Sequence, residues 1–380
     1  MKKRLFTPGP TPVPEAVSLA MAAPIIHHRT PEFEALFAEV NDGLKYLFQT
    51  QNEVFTLACS GTGAMEAAVV NILSRGEKVL VIRGGKFGER WAEIASAYGA
   101  QVEAVDVEWG HPINLDLVAN RLKATPDLKA VFATQSETST GVLYDVQALG
   151  ELVRGHQALL VVDAITGIGV HELLTDAWHL DVVVTGSQKG MMLPPGLAFV
   201  TLSQAAWQAV ETSDMPRYYF DLDKARQSLE KNQTPYTPAV SLVVGLKEAL
   251  GMIRTEGLEN IWRRHQRQAQ ATRDAVRALG LELFAQSPSN VLTAVIAPQA
   301  PSAKQIIATL FEQYGVKVAG GQDRLKDRIF RISHIGYVDH ADIVGMVSAL
   351  EGALKHLGWN FEVGAGVAAA QRVLTAEQGN

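Results

Sequence analysis

Between residues 54 and 202 the chain alternates short apolar runs with amphipathic stretches, and this rhythm constrains the fold more than any other feature. Residues 54–58, 78–82, 101–107, 130–133, 158–163, 181–185 and 196–202 read as strands. Residues 64–73, 88–98, 115–122 and 146–153 read as helices, the first stopped by Gly76 and the second by Gly99. A strand buried on both faces is apolar at nearly every position, and strands separated by helices are joined by crossovers. The reading is therefore α/β: a mostly parallel sheet with helices on both faces.

The flanks behave differently. Four prolines by Pro14 make the first 20 residues an extended segment that lies on something else. Thr30 and Pro31 are an N-cap and first helical residue, followed by Phe33, Leu36, Phe37, Val40, Leu44, Leu47 and Phe48 at helical spacing. Beyond about residue 240 the rhythm changes. Residues 240–254 and 258–279 read as long helices, 281–284 and 291–296 as apolar runs, 303–314 as a helix, 329–333 as a strand and 343–357 as a last helix. The expected organisation is an N-terminal segment at 1–20, a large domain at 21–249, a smaller α+β domain at 250–360 and a loosely held tail at 361–380. The length of 380 residues fits two or three domains.

Composition narrows the function. A formal net charge of −6 without a basic run argues against nucleic-acid binding. One cysteine, Cys59, rules out an internal disulfide and any cysteine-built metal site. The basic start is followed by a proline-rich rather than apolar stretch, and no run is long enough to cross a bilayer, so a cytoplasmic protein is expected.

Several motifs start and fail. Gly61-Thr62-Gly63 opens like a dinucleotide fingerprint, but Glu66 stands where the third glycine belongs. Leu80 and Phe87 break a P-loop around Lys86, and His171-Glu172 lacks the second histidine of a zincin. Ser187 lacks the glycine two residues earlier that a nucleophile elbow needs. No metal site is expected. What remains lies at strand ends, where open α/β sheets bind ligands. Ser60-Gly61-Thr62-Gly63 precedes an apolar helix, and its free N–H groups and hydroxyls suit a phosphate. Asp163 ends a buried strand, and Lys189 follows the next one through Gly186-Ser187-Gln188. A lysine and a carboxylate on neighbouring strands are what pyridoxal 5′-phosphate requires: the lysine bonds its aldehyde, and the carboxylate keeps its ring nitrogen protonated.

With Asp163-Ala164-Ile165-Thr166 and Thr185-Gly186-Ser187-Gln188-Lys189-Gly190, the chain resembles the class V aminotransferases of fold type I. The likeness is nearest to the alanine–glyoxylate and serine–glyoxylate (serine–pyruvate) branch. It runs from Thr7-Pro8-Gly9-Pro10, through His28-Arg29-Thr30-Pro31-Glu32-Phe33, to Arg331. The resemblance implies a seven-stranded, mostly parallel sheet and a homodimer with the active site at the subunit interface. It assigns the cofactor to Lys189, its ring nitrogen to Asp163, and its phosphate to Ser60, Gly61, Thr62 and Gln188. Phe87 matches the aromatic that stacks on the ring, and Thr138 a hydroxyl near it. Thr237 matches a threonine that reaches the phosphate from the partner subunit. Arg331 matches the arginine that grips the substrate carboxylate, which a planar fork suits. Gly9 lets backbone pass close to the substrate, whereas the roles of His28, Arg29, Thr234 and Tyr236 stay open.

The implied reaction is a ping-pong transamination from alanine or serine to glyoxylate or pyruvate, with Lys189 as general base. A cysteine desulfurase would need a nucleophilic cysteine on a mobile loop, and Cys59 instead precedes the phosphate turn. Two alternatives stay open: a class V transaminase or lyase for another amino donor, such as an aminophosphonate or ureidoglycine, and a non-catalytic subunit with the same fold.

Overall fold

The computed structural model describes residues 2–376. The apolar runs pair into one seven-stranded sheet in the spatial order Val54–Leu57, Ala198–Leu202, Val182–Gly186, Leu159–Asp163, Leu128–Thr134, Lys78–Arg83 and Gln101–Asp106. Ala198–Leu202 runs antiparallel to both neighbours, and the other pairs are parallel. Alternation splits the side chains between two cores. Leu160, Val162 and Val183 join one cluster with Phe33, Phe37 and Leu44. Leu159, Val161, Val182 and Val184 join the other with Met65, Val69 and Trp91.

The helix Pro31–Phe48 begins as its sequence directs. The Thr30 side chain accepts a hydrogen bond from Phe33 N, Pro31 supplies the first residue, and Gln49 in a left-handed conformation (φ 51°) ends it. Phe33, Phe37, Val40, Leu44, Leu47 and Phe48 are all buried, whereas Leu36 is only partly so.

A five-stranded second sheet has the order Arg4–Phe6, Val316–Gly320, Ile329–Ser333, Leu292–Ile296 and Glu282–Leu283. Its first strand is the N-terminal segment, which pairs in parallel with Val316–Val318 and so links the two ends of the chain. The structure differs from the expected organisation at both ends of the chain. The 1–20 segment is not extended throughout, because Glu15–Met21 is a helix packed on Val240–Glu256. Residue 250 falls within the unbroken helix Val240–Glu256, which ends at Gly257 before the helix Leu258–Ala278. The segment after 360 is not loose as far as it is described. Ala365–Thr375 is a helix against Leu258–Ala278 and His340–His356, with Ala370 and Leu374 buried. The buried Glu351 carboxylate accepts from Gly364 N and Val367 N, both at 2.9 Å, and so ties down its first turn. No helix among the described residues is long and apolar enough to cross a membrane.

Candidate active site

The strands Leu159–Asp163 and Val182–Gly186 are parallel neighbours, so their carboxyl ends present Asp163 and, one turn later, Lys189 on the same side of the sheet. Asp163 is 3% exposed. Its Oδ1 accepts from Ile165 N at 2.8 Å, and Oδ2 has no hydrogen-bond partner among the described residues. Burial pushes its carboxyl up to about 7; the Ile165 hydrogen bond opposes this, the nearby Glu137 charge adds to it, and Arg90 and Lys189 also oppose it. Lys189 is pushed the other way, down to about 8, chiefly by burial; Asp163 opposes that, and the positive charges of Arg331 and Arg90 add to it.

The N-terminal segment closes over this lysine. Lys189 Nζ donates to Pro8 O at 2.8 Å, and Thr11 Oγ1 donates to Lys189 O at 3.0 Å. Gly9 sits at φ +147°, and a Cβ placed there would lie 2.3 Å from Nζ. Only glycine permits both the backbone angle and the approach.

The turn before the helix Gly61–Ile72 lies beside Gly186, at the end of the strand that leads to Lys189. Ser60 is its N-cap in extended conformation, and its hydroxyl makes no capping bond. The N–H groups of Gly61 and Thr62 stand in the first turn, where a helix offers no internal partner. Gln188 belongs to the same corner. Its Oε1 is buried without a partner, and it and Gly61 N lie 3.2 and 3.5 Å from the position a Cβ on Gly186 would take. Cys59 packs beneath the turn, its Sγ 2.6 Å from where a Cβ on Gly63 would stand. Burial pushes its thiol up to about 12, so it is no thiolate nucleophile.

Phe87 is the second residue of the helix Lys86–Ala97, and a residue fifty positions away fixes that first turn. The wholly buried Glu137 carboxylate accepts from Phe87 N and Gly88 N, both at 3.0 Å, while Ser139 Oγ accepts from Lys86 N at 3.0 Å. Ser139 N donates to Glu137 at 3.1 Å. Burial raises the Glu137 pKa, against the pull of these hydrogen bonds. Between Glu137 and Ser139, the buried Thr138 offers its carbonyl to Arg331 Nη1 at 2.6 Å.

Arg331 points inward from the strand Ile329–Ser333 and is 6% exposed. Its Nε donates to Gly320 O at 2.9 Å, leaving Nη2 without a hydrogen bond among the described residues. The backbone thus holds Nε and Nη1 of the fork and leaves Nη2 open, a constraint the sequence could not show. Burial lowers its pKa to about 10.

Lys189, Asp163, Gly9, Ser60, Gly61, Thr62, Gln188, Phe87, Thr138 and Arg331 therefore lie on elements that converge at the sheet's carboxyl edge. Thr237 does not join them within one chain: it is exposed, in a recess with Leu57, Ala58 and Tyr219. Arg29 is tied to that same loop, donating from Nη1 to Gln233 Oε1 at 2.7 Å and from Nη2 to Pro235 O at 3.4 Å. Two residues beside the site were not singled out from sequence. Glu137 acts on backbone N–H groups far away in the chain, and Arg90 reaches Thr62 Oγ1 at 3.2 Å from Nη1. A Glu or Arg in a motif-poor stretch carries no signal of such partners; only the Phe87–Arg90 spacing, one helical turn, hinted that the two share a face.

Residues 5–343 match the family profile described as Aminotransferase class-V. Over 380 aligned residues, covering 98% of this chain and 99% of the relative, the chain is 49% identical to the soluble hydrogenase 42 kDa subunit of Anabaena cylindrica. It is 38% identical to the L-aspartate–glyoxylate aminotransferase of Paracoccus denitrificans, covering 97% of this chain and 95% of that one. Among solved structures, ureidoglycine–glyoxylate aminotransferase from Bacillus subtilis superposes with a TM-score of 0.94 at 28% identity, covering 98% of each chain.

Proposed function

The chain belongs to the class V aminotransferase family, and from that premise we propose a pyridoxal 5′-phosphate-dependent transaminase. Its donor is a small amino acid, alanine or serine, and its acceptor a small 2-oxo acid, glyoxylate or pyruvate, in two ping-pong half-reactions. The names of the Paracoccus and Bacillus proteins, both of which include glyoxylate, support the acceptor. The observation that carries the reading is the pair Lys189 and Asp163. Each is buried and each perturbs the other's charge, yet no salt bridge joins them among the described residues. The donor set fits the cofactor: an amine, a carboxylate with one open oxygen, the first turn of a helix and the orphaned Gln188 amide.

When bound, the cofactor supplies an electron-withdrawing ring that takes up the charge left as a proton leaves the amino acid's Cα. The chain does the rest. Asp163 would pair with the cofactor's ring nitrogen through its open Oδ2 and keep it protonated, and a cation beside it would draw its own pKa back down. Lys189 Nζ, lowered to about 8, is the neutral amine for roughly a tenth of the time at pH 7. Its amine would act as general base toward the donor's Cα–H and hold the abstracted proton on Nζ. Pro8 O, 2.8 Å from Nζ, limits where that amine can swing. Phe87 gives the ring a flat apolar face, with its backbone locked by Glu137. Arg331 would bind the substrate carboxylate through Nη2, with Gly320 O and Thr138 O holding Nε and Nη1. Thr237 completes the phosphate site from the partner subunit of a homodimer.

The test is half-reaction spectroscopy. The cofactor-loaded protein is mixed with alanine, serine, glycine or aspartate, and then with glyoxylate or pyruvate. Alanine or serine should bleach the yellow lysine-bound form and glyoxylate restore it. A response to aspartate alone would move the donor assignment. The name of the Anabaena relative favours a second reading, a subunit of a larger assembly; no bleaching with any donor would support that one.

A further inference from the structure

Arg90 is a charged group that the transamination reading leaves unused. It stands in the helix Lys86–Ala97 three residues after Phe87, so the two side chains share a face. Its guanidinium lies 4.8 Å from the Phe87 ring centroid, and Nη1 donates to Thr62 Oγ1 at 3.2 Å. That is its only hydrogen bond, and no carboxylate lies within ion-pair distance of it among the described residues. Neighbouring Glu89 is already paired with Lys86 at 2.7 Å. The guanidinium therefore faces the first turn of Gly61–Ile72, where unpaired N–H groups and the helix dipole are also positive. A guanidinium with no carboxylate paired to it among the described residues, beside the positive end of a helix, suits an anion. The cation–π contact holds the side chain in this pose.

We propose that Arg90 is a contact for the cofactor's phosphate, closing the phosphate site across from Gly61 and Thr62. The inference rests on the pyridoxal 5′-phosphate reading above and adds a residue to it. The assignment explains why Thr62 serves here: its hydroxyl accepts from Arg90 and orients the fork toward the turn. A fork donating to a dianion gives charge-assisted hydrogen bonds, which are among the stronger kind.

The experiment compares two ligands that differ only in the phosphate. Pyridoxal 5′-phosphate and pyridoxal are titrated into wild-type and Arg90→Met protein, and binding is read from the visible absorbance of the lysine-bound form. Arg90→Met should weaken pyridoxal 5′-phosphate about 10- to 100-fold and leave pyridoxal nearly unchanged; Arg90→Lys should recover part of the loss. Equal weakening of both ligands, or no weakening of either, overturns the assignment. So does intact cofactor binding with a raised KM confined to a dicarboxylic amino donor, which would make Arg90 a substrate contact. Where Arg90→Met fails to fold, Arg90→Gln gives the same comparison. Failure of the wild type to bind pyridoxal 5′-phosphate at all sinks the transaminase reading instead, so the two failures are distinct.

Discussion

Replacing Gly9 by alanine probes the closest approach in the site. A Cβ there would lie 2.3 Å from Lys189 Nζ and 2.6 Å from its Cδ and Cε. Ordinary contact begins near 3.4 Å, so the amine must retreat by about 1 Å or the segment must lift. The backbone adds its own cost, because φ +147° is a region that side chains rarely enter, worth about 1–3 kcal/mol. The strand Arg4–Phe6 and the Thr11 hydrogen bond to Lys189 O keep the segment docked on both sides, so the strain falls on the lysine. A misplacement of 1 Å costs on the order of 100-fold in rate when a reacting group must meet its proton squarely. The assay separates two readouts. Gly9→Ala should still bind cofactor, with the visible absorbance of the lysine-bound form, while single-turnover proton removal from the donor falls by about 100-fold. Unchanged single-turnover rates would show that Nζ works elsewhere, and the placement of Gly9 behind it would be wrong.

Asp163 gives a pH signature in the cofactor-free protein. Its carboxyl is raised to about 7, so the folded state holds the proton more tightly than the unfolded one. Stability should fall as pH rises from about 4 to about 7, by up to about 1.4 kcal/mol per pH unit. Asp163→Asn should remove that slope, as read by denaturant melts across the pH series; the same slope in the variant would contradict it. Glu137→Ala leaves the Phe87 and Gly88 N–H groups unpaired in a buried place, at about 1–3 kcal/mol for each. A clear drop in Tm is expected, with a smaller one for Glu137→Gln, and an unchanged melt would refute the anchoring role.

The parts of the fold legible in the sequence were those set by burial on two faces. Leu159-Leu160-Val161-Val162-Asp163 can be little else than a central strand with an acid at its tip, and it is one. The helices Val146–Val153 and Ala303–Tyr314 appear with the expected bounds, because caps at Asp145 and Ser302 mark their starts. The second sheet was harder to read. Arg4–Phe6 has three residues and Val316–Gly320 five, too few to show a period, and both exist because they pair with each other. Ala365–Thr375 reads as a Gly/Ala-rich tail, yet Glu351 and the flanking helices hold it. The site divides in the same way. Lys189 and Asp163 follow buried strands and are visible as punctuation, whereas Glu137 and Arg90 take their meaning from partners that only folding brings near. Thr237 stands exposed and apart from Lys189 within the chain.

The most direct test of the central claim is reductive trapping. Wild-type protein is loaded with pyridoxal 5′-phosphate, reduced with borohydride, digested and mapped by mass spectrometry. One pyridoxyl-phosphate adduct on Lys189 is the expected result, absent from Lys189→Ala. An adduct on another lysine, or none on the wild type, would contradict the account.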